Sequence, residues 1–168
     1  MTFIEHMAAY YAHHTKKATI VTHIFGIPLV MFSILVLLAW IRIPTASYIN
    51  LAWVFVIISG IFYFFFDISL AIGMAILLII LGILATWTSH NGPDKLSVFI
   101  FVVTFVLGWI LQFVGHWIEG KRPAFSENLT RGAIGPLFII ADICFAFGFR
   151  RDLQKEILRT AGQQHHHK

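Results

Sequence analysis

The sequence predicts an all-α integral membrane protein: four transmembrane helices, an N-terminal amphipathic helix before them, and a re-entrant or short fifth hydrophobic helical element after them. Three observations predict it. Hydrophobic residues make up 58% of the chain and charged residues only 12%, with a strongly positive mean hydropathy. Soluble domains carry roughly 25% charge, so a chain of 168 residues cannot hide this apolar surplus in a water-soluble core. The apolar runs recur at the length of a bilayer crossing, about 20 residues. The basic residues gather between and beyond those runs, as membrane orientation requires.

The elements follow in order. Residues 1–17 form an arm whose pattern is helical. At about 100° per residue, Phe3, Met7, Tyr10 and His14 share one face, which Ile4, Tyr11 and Ala18 widen. Glu5, His6, His13, Lys16 and Lys17 gather opposite. Such a helix lies along the membrane surface or on the bundle. Five apolar segments then run Ala18–Ile41, Tyr48–Phe66, Ile68–Trp87, Ser97–Ile118 and Gly132–Phe149. The fifth contains Gly132, Gly135, Pro136 and the acid Asp142. The first begins too far into the chain, and is too long, for a cleaved signal peptide. The whole reads as a single membrane domain over 1–168, with a helical bundle over 18–149 and a polar basic tail over 150–168.

Charge decides how the fifth segment is read. With four spans and a returning fifth segment, ten of the twelve basic residues fall on one side, leaving only Arg42 and Lys95 opposite. With five spans the split becomes five to seven. The expectation is therefore four spans with both termini cytoplasmic. Nucleic-acid binding is excluded, because no basic face alternates with exposed aromatics. The single cysteine, Cys144, excludes an internal disulfide and reads as a small buried hydrophobe.

Chemistry-bearing residues cluster at two places. His23 lies just inside the first apolar segment, nine residues after His14. On one continuous helix these two would be half a turn out of phase, so a shared site requires a bend near Lys17 to Thr19. On the fourth segment Gly108, Gln112, Gly115 and Glu119 share a face, with His116 beside them. Small and polar residues on one stripe mark the face turned inward, because lipid offers amides and carboxylates no partner. The stripe reads in two ways: as helix packing with a capping acid and a basic anchor, or as a His–Glu pair sharing a metal or a proton. The four-span topology brings His14, His23, His116 and Glu119 to one membrane face and puts His90 on the other. His165, His166 and His167 sit in the polar tail and are set apart from the site.

Two stretches, "HTKKATIVTHIFGIP" and "QFVGHWIEGKRPAF", followed by "GPLFIIADICFAFGFRRDL", resemble the Mpo1-like family over nearly the whole chain and in order. Thr19 stands where the family pattern has asparagine, and Asp142 where it has glutamate. The resemblance implies an Fe(II)-dependent dioxygenase of 2-hydroxy fatty acids, which shortens its substrate by one carbon. It also implies an integral membrane location, bacterial inner membrane or endoplasmic reticulum. His14, His23 and His116 would be the ligands of Fe(2+), with Glu119 a further ligand or a partner behind one. Glu119 and Gln112 are the candidate catalytic side chains, and Lys121, Arg122, Tyr10 and Asp142 the candidate substrate-binding ones. The expected partners are the lipid bilayer, a long-chain 2-hydroxy fatty acid and dioxygen. Imidazoles suit iron, and oxygenase sites keep coordination positions open for substrate and oxygen. Two other classes stay in view: another histidine-metal lipid hydroxylase, and a non-enzymatic membrane protein such as a small transporter or haem carrier.

Overall fold

A computed structural model describes residues 3–13, 16–44, 46–120 and 129–165. Among them the order is α1 (Phe3–His13), α2 (Lys17–Ala39), β1 (Arg42–Ile43), β2 (Ala46–Asn50), α3 (Leu51–Phe64), α4 (Ile68–Thr88), α5 (Lys95–Glu119), α6 (Leu129–Ala146) and α7 (Arg151–His165). The chain separates into two compact units, one of Met1–His23 with Phe113–Lys168 and one of Ile24–Gln112.

In the second unit glycines let helix backbones approach. A Cβ on Gly108 would lie 2.7 Å from Val30 Cγ2 and 2.9 Å from the Val30 backbone nitrogen. A Cβ on Gly26 would lie 3.0 Å from both Leu111 Cβ and Gln112 Nε2. Contacts this close suit a bilayer, where packing of small residues replaces the hydrophobic drive between helices. Helices α3 and α4 pack as an antiparallel hairpin. Asp67 starts α4 by accepting a hydrogen bond from the Leu70 amide at 3.0 Å, satisfying one orphan donor of its first turn. The faces of α3, α4 and α5 turned away from packing carry exposed Ile58, Ile61, Ile76, Ile83, Phe99 and Ile110. Runs of large apolar side chains facing outward on successive helices are what contact with lipid tails favours.

The first unit holds the arm. Helix α1 packs on α7 and touches α6. Met7, Ala8 and Tyr10 are buried, and Leu153, Ile157 and Ala161 form the buried stripe of α7 at spacings of four. The Tyr10 ring lies 4.0 Å, centroid to centroid, from Phe138 of α6. Ala8 falls outside the face expected from the wheel, because α1 is covered from two directions.

Three helices, α2, α4 and α5, are long and apolar enough to cross a membrane, and a fourth crossing is reached if the bent pair Gly132–Ala146 and Arg151–Gly162 counts as one. The expected second span is helical only over Leu51–Phe64, since Ala46–Asn50 pairs antiparallel with Arg42–Ile43 instead. The fifth segment ends at a corner where Gly148 and Arg150 have positive φ, and the chain bends by 119°. The 150–168 stretch, expected as a polar tail, is helical to His165. Its few apolar residues suffice because they line one stripe against α1.

Candidate functional site

The site is built where the N-terminus of α2 meets the C-terminus of α5, inside the first unit. Gly115 makes the meeting possible. A Cβ there would lie 2.6 Å from His23 Cε1 and 2.7 Å from His23 Nδ1, and closer still to Thr22 Oγ1. The absence of that atom lets His23, only 3% exposed, lie close against α5.

The two helix ends cap one another. Glu119 Oε2 accepts from the Lys16 backbone amide at 3.3 Å and from the Thr19 hydroxyl at 2.8 Å. The Lys16 ammonium donates to the Ile118 carbonyl at 2.5 Å. A carboxylate thus sits at the positive end of α2 and an ammonium at the negative end of α5, each favoured by the helix dipole it faces. Glu119 does for α2 what the acid of a capping box does within a single helix.

His23 Nδ1 lies 2.9 Å from the Thr19 carbonyl oxygen. A carbonyl only accepts, so the imidazole proton is on Nδ1 and Nε2 is the acceptor nitrogen. That nitrogen faces His116 Nε2 at 3.4 Å, the two rings crossing at 82° with centroids 4.8 Å apart. Two nitrogens each about 2.1 Å from one metal, at tetrahedral or octahedral angles, are themselves about 3.0–3.4 Å apart. The pair therefore fits two positions on a shared metal, and a backbone carbonyl behind one ligand is the usual support for such a histidine. Among the described residues no group of three His, Cys, Asp or Glu side chains is gathered for a metal. His14, the third expected ligand, lies outside the described residues, as do Lys121 and Arg122.

Tyr10 and Asp142 are also in this unit. Tyr11 donates to Asp142 Oδ1, while Asp142 Oδ2 is buried without a hydrogen-bond partner among the described residues. Burial first, then the neighbouring Asp142 carboxylate, pushes the Tyr11 phenol far above its ordinary value, so it stays a donor. Tyr10 is pushed the same way by burial and then by the charges of Asp142 and Glu119, which places its hydroxyl within electrostatic reach of both acids. Gln112 belongs to the other unit, where it is buried against Gly26 and its amide nitrogen has no partner among the described residues. His90 is exposed in the loop after α4, with its Nδ1 3.1 Å from Asn91 Oδ1.

No bend lies at Lys17 to Thr19, where one was expected. Helix α2 already begins at Lys17, so Lys17 to Thr19 form its first turn. Sequence reasoning did not single out Thr19 or Lys16 as site residues. Their partners lie 100 or more residues away along the chain, a distance that no local pattern encodes.

Comparison with known proteins adds three findings. A family model described as 2-hydroxy-palmitic acid dioxygenase Mpo1-like matches residues 1–147. The chain is 30% identical over 141 residues to the 2-hydroxy-palmitic acid dioxygenase MPO1 of Saccharomyces cerevisiae, covering 82% of this chain and 76% of that protein. No solved structure matches. With the family model covering most of its length, the chain belongs to the Mpo1-like family.

Proposed function

We propose that this protein is an Fe(II)-dependent dioxygenase that shortens long-chain 2-hydroxy fatty acids by one carbon at a membrane face. The observation that carries the reading is the approach of His23 Nε2 to His116 Nε2 in a chain that belongs to this family. Iron, when bound, supplies the means of activating dioxygen and open positions for an oxygen-donor substrate. His23 and His116 would hold it, with His14 completing the set. Overall, a 2-hydroxy acid and dioxygen give the acid one carbon shorter, carbon dioxide and water, and atoms balance without a further reductant.

The chain's own residues account for the rest. The Thr19 carbonyl fixes the tautomer of His23, Gly115 gives its ring room, and Glu119 locks the two helix ends together. A site at the ends of two candidate spans meets a fatty acid where its carboxylate already sits. The headgroup then need not enter hydrocarbon, which would cost several kcal/mol. Lys121 and Arg122 follow α5 directly in sequence and would draw in the acid by charge, while the protonated Tyr10 offers a donor nearby. The termini are cytoplasmic on this reading.

Haem ligation fits the geometry less well. The His23 and His116 rings meet edge to face with centroids 4.8 Å apart, which leaves no space for a macrocycle between them. The test uses Fe(II)-loaded protein, lacking the tail histidines, in air with a long-chain 2-hydroxy acid. Mass spectrometry should find the acid one carbon shorter, and nothing from the same acid without its 2-hydroxyl. No shortened acid from folded, iron-loaded protein would defeat the proposal.

A further inference from the structure

We infer that Thr19 is a positioning residue that sets both the histidine and the carboxylate of this site; the inference rests on the metal reading proposed above. Thr19 is fully buried at the first turn of α2. Its carbonyl accepts the His23 Nδ1 proton at 2.9 Å, and its hydroxyl donates to Glu119 Oε2 at 2.8 Å. The Gly115 carbonyl, 3.2 Å from the same hydroxyl, is the more distant acceptor. One residue therefore governs two groups on different helices through different atoms.

The two atoms have separable consequences. The carbonyl acts through the backbone and survives any side-chain change, so it fixes which His23 nitrogen faces His116 in every variant. The hydroxyl acts only on Glu119. With it, the carboxylate oxygen is held by two donors, the Lys16 amide and Thr19, and is kept at the helix end as support behind the ligands. Without it, the carboxylate loses the shorter of these two bonds to α2 and keeps the one at 3.3 Å, so its hold on that helix loosens. A supporting group of this kind is worth about 10–100-fold in metal affinity. Serine preserves the hydroxyl; valine keeps the branched shape and removes it.

The experiment uses the full chain without its tail histidines, with Co(II) as a spectroscopic probe of the site. Thr19→Val should weaken Co(II) binding about 10–100-fold and shift its visible ligand-field bands, while Thr19→Ser stays close to the parent. In a Glu119→Gln background, Thr19→Val should add no further loss, because the group it acts on is already altered. Two metal-free measurements accompany this. Nitrogen-15 spectra of the histidines should place the His23 proton on Nδ1 in both parent and Thr19→Val. In thermal unfolding, the Thr19→Val and Glu119→Gln losses should overlap when combined. Should Thr19→Val fail to fold, Thr19→Ala removes the same hydroxyl with less bulk. A Thr19→Ser variant as impaired as valine, additive losses with Glu119→Gln, or a His23 proton on Nε2 would each overturn the inference. A parent protein that binds no Co(II) would instead defeat the metal reading, and the metal-free measurements then decide the role of Thr19 alone.

Discussion

At the scale of single residues, the proposed metal reading separates side chains that would touch the metal from one that would support them. His23 and His116 present Nε2 to each other, whereas Glu119 Oε2 already accepts two hydrogen bonds from α2. Removing a ligand alters coordination number and geometry together; altering a support only loosens them. His23→Ala and His116→Ala should each abolish metal binding measured by titration, and Glu119→Gln should weaken it by about 10–100-fold. A Glu119→Gln loss as complete as that of the histidines would make the acid a ligand in its own right. The pairing of Tyr11 with Asp142 gives a second residue-scale prediction. Tyr11→Phe strands a buried carboxyl group whose other oxygen has no partner among the described residues, a change that costs about 1–3 kcal/mol or more. Replacing both, as Tyr11→Phe with Asp142→Leu, should restore part of the lost thermal stability. A double variant that melts lower than Tyr11→Phe alone would contradict this.

At the scale of elements, the helix ends and the glycine stripe do different work. Gly108 and Gly115 stand on one face of α5, as their spacing predicts, and both sit where a Cβ would collide with α2. At Gly108 the collision is with Val30; at Gly115 it is with Thr22 and His23. Overpacking of this kind costs about 1–3 kcal/mol. Gly108→Ala and Gly115→Ala should therefore both lower the unfolding temperature, but only Gly115→Ala should also reduce metal affinity in the folded protein, by displacing the His23 ring. Equal affinities in the two variants would separate the stripe from the site. The stripe and the buried face of α1 were legible because periodicity carries them: Met7 and Tyr10 are buried as the wheel places them. Helix α7 was not, since Leu153, Ile157 and Ala161 are too few to outweigh its charged residues in composition, and only α1 gives their stripe a purpose. Nor was the reciprocal capping of α2 and α5 legible. A lysine and a glutamate at the ends of two apolar runs look the same whether they face water or each other.

At the scale of the molecule, the site constrains the path of the chain through the bilayer. His23 lies in the second turn of α2 and His116 in the last turn of α5, so α2 departs from the level to which α5 returns. If both cross, the chain between them must cross an even number of times. Helix α4 is long enough to span, which requires α3 to span with it although it has only 14 residues. At about 1.5 Å per residue such a helix is roughly 21 Å long, short of the roughly 30 Å hydrocarbon core, so local thinning or the extended residues before it must make up the difference. In the proposed four-span topology helices α6 and α7, bent by 119°, enter and return, which keeps Arg150, Arg151, Lys155 and Arg159 on the side of Lys16 and Lys17. On the proposed reading that side is the cytoplasmic one, which the charge excess favours. Single cysteines at Lys17, Asn91 and Gly162, in a Cys144→Ser background, test every step with a membrane-impermeant thiol reagent on intact and opened vesicles. Lys17→Cys and Gly162→Cys should label from one side and Asn91→Cys from the other. Asn91 and Lys17 on the same side would mean an even number of crossings among α2, α3 and α4, leaving α3 or α4 as the helix that does not cross. Gly162 opposite Lys17, with Asn91 opposite too, would mean that the bent pair crosses and that the basic residues beyond it stand against the charge rule.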